Sequence, residues 1–188
     1  VAVPLTQTVQ VHREEFMEIA EVQTAFHFDD SDRWDVERRP RHVANSLLRS
    51  LIEQAEPGLV IFTSGSAGKP KASLHNATRF LDKFKAARAP WRTAAVPLMD
   101  HVAGLDSMFY TFSSGGLLVC PISRSPDAVC QAIERHKVEL LPASATFLQL
   151  LLVSESYRQY DLSSLRTVAY GSEVMPAHTL QRLREIMP

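Results

Sequence analysis

"TSGSAGKPKAS", Thr63 to Ser73, follows directly on the apolar run Leu59-Val60-Ile61-Phe62. Small residues, hydroxyls and two lysines behind a strand pose a choice between a phosphate-gripping loop and an ordinary turn. Spacing excludes three well-defined loops. A G-x-x-x-x-G-K-[ST] loop counted from Gly65 needs its second glycine where Pro70 stands. A G-x-S-x-G elbow around Ser66 needs glycine where Ser64 stands. The dinucleotide fingerprint G-x-G-x-x-G fails because Gly65 and Gly68 have no third partner. The physical case for phosphate survives. Glycines let successive backbone N–H groups turn inward into an anion nest. Thr63, Ser64 and Ser66 add hydroxyl donors, and Lys69 and Lys71 add point charges able to follow a polyphosphate. The residues by themselves fit a solvent-exposed strand-to-helix turn equally well, because Gly, Ser and Pro are ordinary turn residues.

Working outward, short apolar runs at Leu59–Thr63, Thr93–Pro97, Leu117–Cys120, Val138–Leu141 and Arg166–Tyr170 read as strands. Helical patterns lie between them, the rhythm of parallel βαβ units in an α/β sheet flanked by helices. The first helix is read from Leu74, Ala77, Leu81 and Phe84. Ser125-Pro126-Asp127 starts another: a capping hydroxyl, proline at the first helical position and an early acid, with Val129, Ile133 and His136 inward. Ala145–Ser154 is apolar on most sides and reads as buried, and the last helix begins at Pro176. The first 58 residues read as a strand at Val1–Leu5, a helix at His12–Val22 with Phe16, Ile19 and Ala20 inward, and a charged loop from Asp29 to Arg41. Arg41–Ala55 closes that region as a helix, with Val43, Leu47, Leu48, Leu51 and Ile52 on one side. The expected organisation is therefore an upstream strand–helix region, 1–57, and a glycine-loop βαβ core, 58–188.

The totals narrow the function classes. A formal charge of −1 gives no electrostatic footprint for nucleic acid. No apolar stretch reaches the roughly 18 residues of a membrane helix, and the N-terminus has no basic-then-apolar leader, so a cytoplasmic protein is expected. Cys120 and Cys130 stand in no metal or redox spacing and read as buried apolar residues. His75, His136 and His178 fall in helical patterns and read as packing or surface residues.

Thr63–Lys71 resembles the T-S-G-[ST]-T-G-x-P-K-G signature of adenylate-forming enzymes, the acyl-CoA synthetases, luciferases and nonribosomal peptide adenylation domains. Every fixed position agrees except Ala67, which replaces threonine, and Ala72, which replaces glycine. Pro97-Leu98-Met99-Asp100-His101-Val102-Ala103-Gly104-Leu105 is similar to the family's P-L-x-H-x-x-G-L segment, whose histidine lines the acyl pocket. Leu165-Arg166 through Gly171-Ser172-Glu173-Val174-Met175 resembles the family's strand and loop beside the adenine and acyl pockets. Val1-Ala2-Val3-Pro4-Leu5 resembles the strand upstream of its glycine loop.

The resemblance implies ATP-dependent activation of a carboxylic acid, fatty or aromatic, as an acyl-adenylate, followed by transfer to a thiol, with coenzyme A the expected acceptor. It assigns ATP to Thr63, Ser64, Gly65, Ser66, Gly68, Lys69 and Lys71 and to Gly171, Ser172 and Glu173, with Lys71 and His101 as the residues nearest the chemistry. No metal ligand is assigned within the chain. The family's magnesium-binding glutamate, in a later Y-G-x-T-E motif, and its mobile catalytic lysine are expected beyond Pro188, so the chain is expected to be an internal slice of the N-terminal domain that does not complete adenylation alone. The competing expectation is a degenerate domain that only binds nucleotide or a partner, which Ala67 favours through the hydroxyl lost there.

Overall fold

The computed structural model describes residues 1–64, 70–86, 88–171 and 173–187, with the side chains of Thr8 and Ser64 outside that description. The chain forms two compact units, Val1–Lys83 and Phe84–Pro188.

The first unit is built on two antiparallel hairpins. A 3-10 helix, Gln7–His12, leads into α1, Arg13–Ile19. Strands β1, Thr24–Phe28, and β2, Trp34–Arg38, form one hairpin. After α2, Ser46–Glu53, strands β3, Gly58–Ser64, and β4, Pro70–Asn76, form the other, and α3, Ala77–Asp82, follows. Ala20, Leu48 and Val60 are buried at the centre, with Val3, Val43, Phe62 and Leu74 packed around them. Phe16 stacks on Phe62 with ring centroids 4.1 Å apart.

Several expectations are corrected here. β3 is not a strand of the parallel sheet; it pairs antiparallel with β4 from Gly58↔Asn76 to Ser64↔Pro70. Leu74 is a strand residue, and the helix starts only after Asn76, whose side chain accepts from the Arg79 amide. Asn is a strong N-cap, which fixes that start. The expected strand at Val1–Leu5 is reduced to one bridge, Ala2 to Leu59, because Pro4 has no N–H for a ladder. The expected loop Asp29–Arg41 contains β2. Asp29 makes the turn, taking amide hydrogens from Ser31 and Arg33 and pairing with the Arg33 guanidinium. These bonds, the Ser31 amide foremost, hold its carboxyl below the usual range. Phe26 lies opposite Val36 and Phe28 opposite Trp34 on a solvent-exposed aromatic face. The other face is polar: His27 contacts Arg13 and Glu37, and Arg39 pairs with Glu14. On the helices, Ile19, Leu47 and Ile52 are exposed, while Met17 joins Phe16 and Ala20 inside. The helix expected over Arg41–Ala55 starts only at Ser46: Val43 packs on the core from before it, and of Leu47, Leu48, Leu51 and Ile52 the eight-residue α2 buries only Leu48 and Leu51.

The second unit is the expected α/β element, a parallel four-stranded sheet flanked by helices. Its order of elements is β5, Arg92–Ala94; α4, Val102–Ser113; β6, Leu117–Val119; α5, Pro126–His136; β7, Leu140–Ser144; α6, Ala145–Ser154; β8, Thr167–Gly171; and α7, Ala177–Ile186. The sheet runs β6-β5-β7-β8. Right-handed crossovers in that order put α4 on one face and α5 and α6 on the other. Accordingly α4 packs on β5 and β6, while α5 packs on α6. Val129, Ile133, Val138, Leu141, Leu148 and Leu151 are fully buried in this core. Ser125 caps α5 through the Ala128 amide with Pro126 at its first turn, as the sequence requires. His136 does not point inward; it is exposed in the last turn, a favourable place for a basic side chain at the carbonyl end of a helix. α6 is one-sided and not wholly buried, with Leu150 and Val153 exposed. Among the described residues no helix is long and apolar enough to cross a membrane.

The two cysteines differ. Cys130 is buried and its thiol is pushed up to about 12, first by burial and then by the nearby Asp127 charge. Cys120 is exposed, against expectation, because it stands just past the end of β6. An aromatic disulfide reagent at pH 8 should therefore label Cys120 within minutes and leave Cys130 unreacted until the chain is denatured, since the thiolate is the reacting form. Equal labelling rates of the two thiols would contradict this packing.

Candidate functional site

Strand order alone selects a place for a ligand. From β5 the chain leaves to β6 on one side, then returns to β7 on the other side of β5. The loops after β5 and β7 therefore diverge, and in open α/β sheets the crevice at such a reversal, at the carboxyl ends of the strands, is where ligands bind. Three segments of the second unit follow from this geometry: residues 95–101 after β5, Ser144 to Thr146 after β7, and Gly171 to Glu173 after β8.

His101 ends the first segment as the N-cap of α4, its Nδ1 accepting from the Ala103 amide at 3.2 Å. In the neutral ring this bond leaves the proton on Nε2. The side chain is exposed. Gly104, three residues on, packs against the turn that precedes the helix: a Cβ there would lie 2.0 Å from the Leu98 carbonyl oxygen. The glycine in the H-x-x-G spacing is thus a packing requirement that sets where His101 sits.

Ser144 caps α6 by accepting from the Phe147 amide at 3.1 Å. The Glu173 carboxylate reaches the same helix end: its Oε2 accepts from the Thr146 amide at 2.7 Å and from the Thr146 hydroxyl at 2.8 Å. The positive end of the helix dipole favours an anion there. Both bonds, the amide first, hold the Glu173 carboxyl below its usual range. Gly171 ends β8 with nothing within 4 Å of where a Cβ would be, so its flank is open. Ser172 lies outside the described residues.

In the first unit, Thr63 lies directly opposite Lys71 across the β3–β4 hairpin, and Ser64 lies opposite Pro70. The hairpin returns the exposed Lys71 to the strand end from which the glycine segment departs. Gly65, Ser66, Gly68 and Lys69, and Ala67 with them, lie outside the described residues. Thr63 and Lys71 thus belong to one unit, and His101, Gly171 and Glu173 to the other. Among the described residues no group of three or more His, Cys, Asp or Glu side chains could hold a metal ion.

Thr146 and Ser144 escaped the sequence reading. The signal was present, since Ser-Ala-Thr directly after a parallel strand is a cap plus a helix N-terminus, but it marks a site only once the strand order is known.

Comparison with known proteins places this geometry in a family. The AMP-binding enzyme family matches residues 3–188. An indoleacetate–CoA ligase of Aromatoleum aromaticum is 28% identical over 135 residues, covering 68% of this chain and 26% of the relative. A feruloyl-CoA synthase of an Amycolatopsis species is 31% identical over 132 residues, covering 66% of this chain and 27% of the relative. Among solved structures, an amide bond synthetase from Marinactinospora thermotolerans is similar with a TM-score of 0.58 and 29% identity, over 69% of this chain and 27% of that one. The chain thus spans about a quarter of the length of the curated relatives it matches. With the family match running nearly from end to end, the chain belongs to the AMP-binding enzymes.

Proposed function

We propose that this chain forms nucleotide- and acid-binding parts of an ATP-dependent carboxylate-activating ligase, and that the acid is aromatic. The observation that carries the reading is the reversal of strand order between β5 and β7, with His101, the N-terminus of α6 and Gly171 on the segments that flank it. In this reaction a carboxylate oxygen bonds to the α-phosphorus of ATP as the bond to pyrophosphate breaks, giving an acyl-adenylate; transfer to a thiol such as coenzyme A follows. The β3–β4 hairpin, through Thr63 and Lys71, neutralises the leaving pyrophosphate. The open flank of Gly171 leaves room for a flat ring, and His101 with the apolar side chains of α4 offers a surface to the acid. The aromatic acids named for the indoleacetate and feruloyl relatives favour an aryl over a fatty substrate.

The test is equilibrium binding of ATP, AMP and a panel of aryl and fatty acids to the chain, with carboxylate-dependent exchange of pyrophosphate into ATP as the catalytic readout. ATP binding, with acid binding strengthened by AMP, is expected. Exchange by the 188-residue chain alone is not, because the residues that the resemblance assigns to magnesium and to the catalytic lysine are absent from its sequence. No ATP binding would overturn the reading.

The capping role of His101 makes a clean variant available. His101→Ala should cost about 1 kcal/mol of stability through the lost cap, whereas His101→Asn keeps an acceptor for the Ala103 amide and should keep the stability. If the imidazole faces the acid, both variants should change the ranking of acids in the binding panel. Loss of stability in His101→Ala with unchanged ranking in both would leave the histidine a cap and nothing more.

A further inference from the structure

Glu173 is assigned by resemblance to the nucleotide, yet its Oε2 is already engaged twice, by the Thr146 amide and by the Thr146 hydroxyl. A carboxylate accepting two hydrogen bonds at a helix N-terminus is strongly held, because both bonds are charge-assisted and the dipole adds to them. The arrangement divides the work at α6: Ser144 satisfies the Phe147 amide, and Glu173 satisfies that of Thr146. Gly171 is exposed at the end of the β7–β8 ladder, opposite Ser144, and Val174 is 92% exposed. At Met175 the chain packs on the core.

We infer that Thr146 is a positioning residue, and that with Glu173 it forms a latch that fastens the turn after β8 onto the N-terminus of α6. Glu173 contacts Thr146 in place of the nucleotide. The β7–β8 ladder already holds Gly171 opposite Ser144, and the latch fastens the chain that leaves its open flank. The turn is thereby held in shape before any ligand arrives, so binding does not have to order it. The causes acting on the Glu173 carboxyl are the two Thr146 bonds and opposing burial, with no other charged group among them. The part of the inference that concerns nucleotide rests on the function proposed above; the latch itself does not.

The experiment separates the two. In the uniformly 15N-labelled chain without ligand, the Thr146 amide resonance is followed from pH 7 to pH 2.5. In the wild type it should shift with a midpoint below the ordinary glutamate value of about 4.3, as the carboxylate loses its charge. In Glu173→Gln, which still accepts but cannot titrate, that step should vanish while the amide stays protected. In Glu173→Ala the amides of residues 171–174 should exchange at least about tenfold faster at pH 6, as expected for loss of a charge-assisted bond. Thr146→Val, which keeps shape and amide but removes the hydroxyl, should fall between. A Thr146 amide that ignores the Glu173 substitutions overturns the latch. ATP titration of the same variants tests the positioning role: Glu173→Ala should weaken binding about tenfold and Glu173→Gln should recover most of it. ATP binding that is equal in all variants overturns that role. ATP binding absent even in the wild type overturns the nucleotide reading instead, and the amide titration then decides the latch by itself.

Discussion

Gly104→Ala should destabilise the second unit by about 3 kcal/mol, the upper end of the range for forcing extra atoms into a packed site. The sign is not obvious in advance. Gly104 lies inside α4, and alanine in a helix interior is favoured over glycine by about 1 kcal/mol. The close contact decides. The added Cβ would meet the Leu98 carbonyl oxygen at 2.0 Å, and the Leu98 carbonyl carbon and Met99 nitrogen lie within 3.0 Å. All three are backbone atoms, so no side chain can swing aside; the turn 98–101 or the whole start of α4 has to move. That movement strains the His101 cap, because the His101 amide closes the same turn by donating to the Leu98 carbonyl at 3.1 Å. Gly171→Ala is the control, since its Cβ meets nothing within 4 Å, and its stability should stay within about 0.5 kcal/mol of the parent. Thermal and urea unfolding of both variants checks the pair. A Gly104→Ala chain as stable as the parent would mean that α4 can shift freely, and that the glycine of the H-x-x-G spacing is not there for packing.

How much of this was legible beforehand follows the kind of contact involved. The four parallel strands were found within a few residues of their observed limits, because buried parallel strands write themselves as short apolar runs between helical patterns. The glycine loop was correctly tied to a preceding strand but given the wrong successor. Leu74, Ala77 and Leu81 are three and four residues apart, a helical spacing, yet Leu74 faces the core from β4 and Ala77 opens α3. Over so short a window the two periods coincide, and pairing with β3 settled the matter. The β1–β2 hairpin was hidden for a different reason. Its aromatic face is exposed and its polar face is turned toward α1, so charge density was mistaken for a loop. At the site, sequence could name His101 and Glu173 but could not say what they touch. The Ala103 amide and Thr146 both stand at helix ends, the first two residues from His101 and the second 27 residues from Glu173, and which groups remain for a ligand is a tertiary fact.

Lys71→Ala should weaken ATP binding about tenfold to a hundredfold while leaving AMP binding nearly unchanged. In the hairpin register Thr63 faces Lys71, and the strands close on Ser64 and Pro70. Whatever path residues 65–69 take, the lysine stands at the base of that segment on an exposed strand end. A charge-assisted hydrogen bond is worth about 1.5–3 kcal/mol when one partner is removed, against about 0.5–1.5 for a neutral hydroxyl. Lys71→Ala should therefore outweigh anything gained by Ala67→Thr, which restores the hydroxyl of the family signature. The nucleotide contrast locates the contact. AMP carries only the phosphate that stays with the adenylate, so a lysine gripping the leaving pyrophosphate is felt by ATP alone. Salt supplies a second check, since an exposed charge is screened over about 10 Å at 0.1 M ionic strength: ATP binding by the parent should weaken with added salt more steeply than binding by Lys71→Ala. Folding should hardly change, because a solvent-facing lysine carries little stability. Calorimetric titration of parent, Lys71→Ala and Lys71→Arg with ATP and with AMP decides it, with Lys71→Arg expected to recover part of the loss. Equal weakening for both nucleotides would move the lysine to the α-phosphate, and no weakening for either would reduce Thr63–Lys71 to a turn.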